Sequence, residues 1–185
     1  LKRNSGVTDV TFDNVSVKEV QRGNHATSVF YGDELINVGG NATNNRTFAG
    51  AGDWGAYQGA GTDVNSSVAG KMEITTTDDD EEEGIVLNNN KLGTLVVGKT
   101  YRVSAKLEYI SGTHTTPQTK FVLGNGSSGN FDIDGTETTY EKDIVVSNAS
   151  SDLYIINTSQ EDEVCVFTVD DISVKEVGLS TTGHV

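Results

Sequence analysis

Near the end of the chain two adjacent carboxylates, Asp170 and Asp171, interrupt the apolar strand pattern Val169-Asp170-Asp171-Ile172-Ser173-Val174. Strict alternation puts Asp170 on the same face as Ile172 and Val174, so its carboxylate should point toward a core. Buried and unpaired, such a group is costly. Two arrangements relieve the cost: a set of backbone and side-chain hydrogen bonds, or a bound hard cation, and carboxylate oxygens of this kind suit calcium. A bulge at Asp170-Asp171 would turn the carboxylate outward and remove the need for either.

Other clusters invite similar tests. Asn130-Phe131-Asp132-Ile133-Asp134-Gly135, with Glu141 at the twelfth position, has the oxygen spacing of a calcium loop but lacks flanking helices. Because Phe131 and Ile133 alternate with polar residues, a hairpin turning at Asp134-Gly135 is the favoured reading. The acidic run Asp78 to Glu83 reads as a solvated loop, with recruitment of a second cation as the alternative. Gly124-Asn125-Gly126-Ser127-Ser128-Gly129 matches the spacing of a dinucleotide fingerprint. That motif works by setting a helix N-terminus against pyrophosphate, and here the chain continues as strand instead.

The aromatic residues Trp54, Tyr57 and Tyr109 are the candidates for stacking on sugar rings. Trp54 and Tyr57 lie in a long Gly- and Asn-rich loop, where function is often carried, although Trp54 could equally plug the end of a sandwich. Tyr109 shares the apolar face of its strand and also reads as core. Catalysis finds little support. His25, His114 and His184 have no metal-ligand spacing, and neither Ser nor Cys sits in a nucleophile elbow. Carboxylates are plentiful, yet nothing selects a glycosidase pair. A non-enzymatic role is expected.

The elements that must position these residues are strands. The 185 residues include 21 Gly and one Pro, with abundant Thr, Ser, Asn and Val, which favours strands joined by turns. Tyr101 to Ile110 alternates most clearly, with Tyr101, Val103, Ala105, Leu107 and Tyr109 on one face and Arg102, Ser104, Lys106 and Glu108 on the other. Further strands are expected at 34–38, 71–77, 84–87, 119–123, 130–134, 138–147, 153–157 and 164–177. Their spacing predicts an all-β fold, a two-sheet antiparallel β-sandwich of jelly-roll type. No segment shows helical period with caps. The formal charge of -14, from 27 Asp and Glu against 13 Lys and Arg, argues against nucleic acid and membrane surfaces as partners. No apolar run approaches the roughly 20 residues of a spanning helix, and no leader pattern opens the chain. Cys165, alone among apolar neighbours, reads as a small buried hydrophobe.

The chain also repeats itself. Val10-Thr11-Phe12-Asp13-Asn14-Val15-Ser16-Val17-Lys18-Glu19-Val20 matches Phe167 to Val177 with seven identities, and its other positions are conservative. Self-similarity at a domain-sized period implies successive like units. Residues 1–20 are therefore expected to be the closing strand of a preceding module, 21–33 an inter-module linker, 34–177 the module, and 178–185 the start of a following linker.

The Gly- and Asn-rich entry, the turn Leu95-Val96-Val97-Gly98-Lys99-Thr100-Tyr101-Arg102-Val103-Ser104 and the ending Val169 to Val177 together resemble the jelly-roll carbohydrate-binding modules of the family four/nine type. The last six residues look especially like tandem modules of tailed-phage structural proteins. The resemblance implies a structural calcium where first and last strands meet, with Asp170 as the carried-over ligand. Its usual Asn-Gly-Asp/Asn-Phe-Glu entry is replaced by Asn37-Val38-Gly39-Gly40-Asn41. It further implies a non-catalytic module of a virion fibre, tail or capsid surface, on the virion surface or extracellular. Such a module would bind glycans or cell-surface polysaccharide for host attachment, or act as a spacer, among other virion proteins and like modules in a homo-oligomer. The alternative is an accessory module of a secreted polysaccharide-degrading enzyme or a bacterial surface adhesin.

Overall fold

A computed structural model describes residues 28–50, 52–63, 70–77, 82–113, 117–150, 152–158 and 164–180. The first copy of the repeated motif at 10–20, the three histidines and Asp78 to Glu81 lie outside the described residues.

Twelve strands and one four-residue helix are described. They are β1 (Ser28–Glu34), α1 (Asn44–Thr47), β2 (Gly55–Tyr57), β3 (Gly61–Asp63), β4 (Met72–Thr75), β5 (Glu83–Leu87), β6 (Thr100–Gly112), β7 (Gln118–Leu123), β8 (Gly126–Ser127), β9 (Phe131–Asp132), β10 (Thr138–Val145), β11 (Leu153–Asn157) and β12 (Cys165–Ser180). One antiparallel sheet has the order β10-β6-β12-β4-β3, with β1 also on β12; the other has the order β2-β5-β11-β7-β8, with β9 also on β7. Hereafter they are the β12 sheet and the β11 sheet. The expected all-β two-sheet sandwich is the fold observed.

Alternation explains how the layers close. β6 buries Tyr101, Val103, Ala105 and Leu107 and turns Arg102, Ser104, Lys106 and Glu108 outward. From the facing sheet Ile85, Leu87, Phe121, Leu123, Leu153 and Ile155 meet them in one core. Along β6 to Leu107 and along β7 every second residue is thereby removed from water, at about 25 cal/mol per Å² of apolar area.

β12 is the central strand, flanked by β6 over Cys165 to Glu176, by β4 over Val166 to Val169, and by β1 over Lys175 to Ser180. Among the described residues β1 runs from Ser28 and β12 runs to Ser180, so residues 28–33 of the expected linker 21–33 and the residues just after Val177 are strand. The reason is that β4 covers only the first half of β12, and the N–H and C=O groups of its second half need partners. Residues 34–38, expected as the first strand, instead leave β1 after Glu34.

The long Gly- and Asn-rich entry is not structureless. Asp53 accepts hydrogen bonds from Asn41 Nδ2 at 3.1 Å and Asn45 Nδ2 at 3.0 Å, and Lys91 Nζ lies 3.2 Å away. Those contacts fold the loop around α1, which is too short to declare a helical period. Gly124 and Asn125, with φ of 55° and 59°, make a two-residue turn between β7 and β8, so the glycine-rich run is a hairpin. Phe131-Asp132 and Thr138 to Val145 fall on different sheets, so Asp134-Gly135 is a crossover between layers, where a hairpin was expected.

Candidate functional site

The β11 sheet carries its inward residues at odd positions of β5, β7 and β11, which leaves Val86, Lys120, Val122, Tyr154 and Ile156 on its outer face. Register places Tyr57 of β2 opposite Gly84, Gly84 opposite Ile156, and Ile156 opposite Lys120, which makes one row across the sheet. The adjacent row runs Gly55, Val86, Tyr154, Val122 and Ser127.

Where the rows meet, the Tyr57 and Tyr154 rings pack edge to face with centroids 5.0 Å apart and planes at 69°. Both rings remain partly exposed. Burial pushes the Tyr154 phenol above its ordinary range, so it stays a neutral donor at physiological pH. Ile156 is only 3 % exposed yet stands outside the core cluster, so it is the apolar floor of this outer face. A Cβ at Gly84 would meet the Ile155 carbonyl oxygen at 2.1 Å, which keeps the row between Tyr57 and Ile156 free of a side chain.

Polar groups occupy the β7 side of the same face, away from β2. Lys120 pairs with Glu82 across the row, and Gln118 Nε2 donates to Asp132 Oδ1 at 2.9 Å. Asn130 Nδ2 reaches Gln118 Oε1 at 3.4 Å. The face thus offers flat rings beside planar amides, a carboxylate and an ammonium group. That is the combination that recognises a polyhydroxylated ring by its apolar face and its hydroxyl rim.

The three sequence candidates are not brought together. Tyr57 stands on this face. Trp54 is 9 % exposed and belongs to the core, where its indole donates to the Asn45 carbonyl at 2.8 Å and its ring lies 6.3 Å from Phe48. Tyr109 packs against the core from β6, on the other sheet, with its hydroxyl donating to the Gly112 carbonyl at 3.2 Å. Tyr154 was missed, although its place between Leu153 and Ile155 already marks it as outward-facing.

Asp170 departs from the expectation that it points inward. It pairs with Lys106, and the next pair is Ser173 with Ser104, so one extra residue bulges out at Asp171, whose φ is 48°. The bulge puts Asp170 on the outer face of the β12 sheet and restores Ile172 and Val174 to the core. Asp170 is still half-buried: Oδ1 has no hydrogen-bond partner, and burial pushes its carboxyl up.

The residues present do not fit the calcium that the resemblance implies. Lys106 Nζ lies 2.7 Å from Asp171 Oδ2 and 3.9 Å from Glu137 Oε1, while Lys71 pairs with Glu137 and, at 3.2 Å, with Glu108. Ammonium groups already pair with these three carboxylates. Where β1 meets β12, the Glu34 carboxylate accepts from Ile36 N at 3.0 Å, Val174 N at 2.9 Å and Ser173 Oγ at 2.6 Å. N–H donors converge there, where a cation would require oxygens. Among the described residues no group of three or more His, Cys, Asp and Glu could hold a metal. The Asn130-to-Glu141 spacing also disperses, with Asp132 on Gln118 and Glu141 on Arg102.

Known structures resemble this architecture. The xylan-binding domain CBM22-1 of Paenibacillus barcinonensis Xyn10C aligns with a TM-score of 0.53 at 13 % identity, over 73 % of this chain and 94 % of that one. The tandem CBM22-1-CBM22-2 of the same protein aligns at 0.56 and 15 % identity, over 82 % of this chain and 48 % of that one. The CBM22-1-GH10 modules of Clostridium thermocellum xylanase 10B, complexed with xylohexaose, align at 0.54 and 14 % identity, over 83 % and 30 %. No protein family and no curated protein is matched by the sequence itself. At these identities the likeness is one of fold, that of carbohydrate-binding jelly rolls.

Proposed function

We propose that this chain is a non-catalytic carbohydrate-binding module, and that the outer face of its β11 sheet takes a β-linked polysaccharide of the xylan class. The observation that carries the reading is the Tyr57–Tyr154 pair over buried Ile156, bordered by Lys120, Glu82 and Gln118. Two of the similar structures are named for xylan or hold xylohexaose, which selects the first ligand to try. Their modules belong to xylanases, which supports the accessory, extracellular role in a polysaccharide-degrading protein over the virion role. The virion reading rests on the closing motif alone.

Titration calorimetry of the full chain with xylohexaose and soluble xylan tests this. Binding is expected, with Tyr57→Ala and Tyr154→Ala each weakening it about tenfold, as loss of an aromatic anchor costs roughly 1.4 kcal/mol or more. Tyr109→Ala should leave affinity unchanged, and no reducing ends should be released. Absence of heat with a broad set of soluble polysaccharides would remove the proposal.

A further inference from the structure

β1 and the end of β12 form a two-stranded ribbon that projects past the sandwich. β6 stops pairing at Glu176, whereas β1 continues along β12 to Ser28 opposite Ser180. Val29 and Phe30, consecutive residues on opposite faces, are 47 % and 56 % exposed, so neither face of the ribbon is covered. Phe30 borders a notch of about 250 Å³ shared with Tyr31, Gly32, Glu176 and Gly178. An exposed aromatic ring beside such a notch marks an interaction surface, and among the described residues no second strand pairs with β1 on its outer edge.

The chain's repeat says what meets it. In the register that aligns Val10–Val20 with Phe167–Val177, Gly23 falls where Ser180 does, so on the reading that the first copy closes a preceding module, only Asn24 to Thr27 separate that copy from Ser28. Five Cα steps span at most about 18 Å. Because Ser28 and Ser180 are paired, chain entry and exit lie side by side at the same end of the module. The 16-residue β12 is roughly 54 Å long at about 3.4 Å per residue, so the far pole of either module is out of reach of so short a linker. Successive modules must therefore meet at their ribbons.

We propose that the projecting β1–β12 ribbon is an inter-module interface whose occupant is the like ribbon of the preceding copy, packed face to face through either the Phe30 side or the Val29 side. Tandem copies then cluster at their ribbon ends and point their sandwiches outward. The glycan-binding faces splay apart in this arrangement, and a string with opposite-pole connections would align them. Tethering supplies millimolar effective concentration, so a modest apolar contact suffices.

The test extends the full chain by placing residues 28–166 directly before Val10, which gives the repeated strand a body to close and leaves the natural linker intact. Nitroxides on Val97→Cys in both copies report the inter-module distance by pulsed electron resonance; Val97 is 59 % exposed and Cys165 is buried away from label. One narrow distance is expected, broadening at least twofold when Phe30→Asp, or Val29→Lys, is present in both copies with the melting temperature unchanged. A distribution equally broad in the parent, or one that stays narrow in both variants, overturns the proposal. So does hydrogen exchange in the unextended chain showing Val10–Val20 as protected as β1, because the segment would then cover the ribbon itself.

Discussion

Tyr154 and Trp54 illustrate what a single side chain does in this fold. Both are aromatic, yet one lies over Ile156 on an outer face and the other donates from the core to the Asn45 carbonyl. Trp54→Ala should therefore destabilise the protein by about 3–5 kcal/mol, measured as a fall in urea midpoint, as large core truncations do. Tyr57→Ala should cost under about 1 kcal/mol and act on ligand binding instead. Cys165 provides a pH signature. Burial pushes its thiol up to about 12 from an ordinary 9.0, so the fold favours the protonated form. The stability this contributes is complete below pH 9 and is lost as pH rises toward 12. Urea midpoints compared between the parent and Cys165→Ala should converge over that window, with other groups cancelling in the difference. Burial at Cys165 was legible from its apolar neighbours. The burial of Trp54 was not, because in an irregular loop exposure depends on which layer covers a ring.

At the scale of the element, β12 decides most. Its pattern announces a strand, and strict alternation would point Asp170 inward, but the extra residue at Asp171 reverses that. A non-glycine residue at φ 48° is tolerated best when it is Asn or Asp. Asp171→Val should accordingly cost about 1–3 kcal/mol, while Asp171→Asn keeps the backbone and loses only the exposed, solvent-screened ion pair to Lys106, a much smaller effect. Denaturant curves of the two variants separate backbone strain from charge. Should they fall together, the bulge geometry is not what fixes the strand. The same element shows why the first strand was misplaced by sequence: Ser28 to Glu34 alternates poorly, and it becomes strand because β12 has an open edge to satisfy.

For the whole molecule, the balance of charge matters more than its total. On the outer face of the β12 sheet, Lys71 and Lys106 pair with Glu108, Glu137 and Asp171, and Glu34 ties β1 to β12 by accepting from Val174 N and Ser173 Oγ. A ligand of the native state raises stability, so a chelator that leaves the melting temperature unchanged is the expected result here. A fall of several degrees would show that a cation does hold these strands. Raising the salt concentration should raise stability, because screening relieves the self-repulsion of a chain at -14 more than it weakens exposed ion pairs. Composition and period-two patterning by themselves determined that the chain is an antiparallel sandwich with Val103 and Leu107 on an apolar face, because alternation is a local property of each strand. The repeated motif likewise pointed to like units from sequence alone. Only the tertiary structure decided that Tyr57 and Tyr154 share a face, that Trp54 does not, and that Asp170 turns outward. Those outcomes depend on sheet order, register and one inserted residue, and all three are set by long-range pairing that no short stretch of sequence encodes.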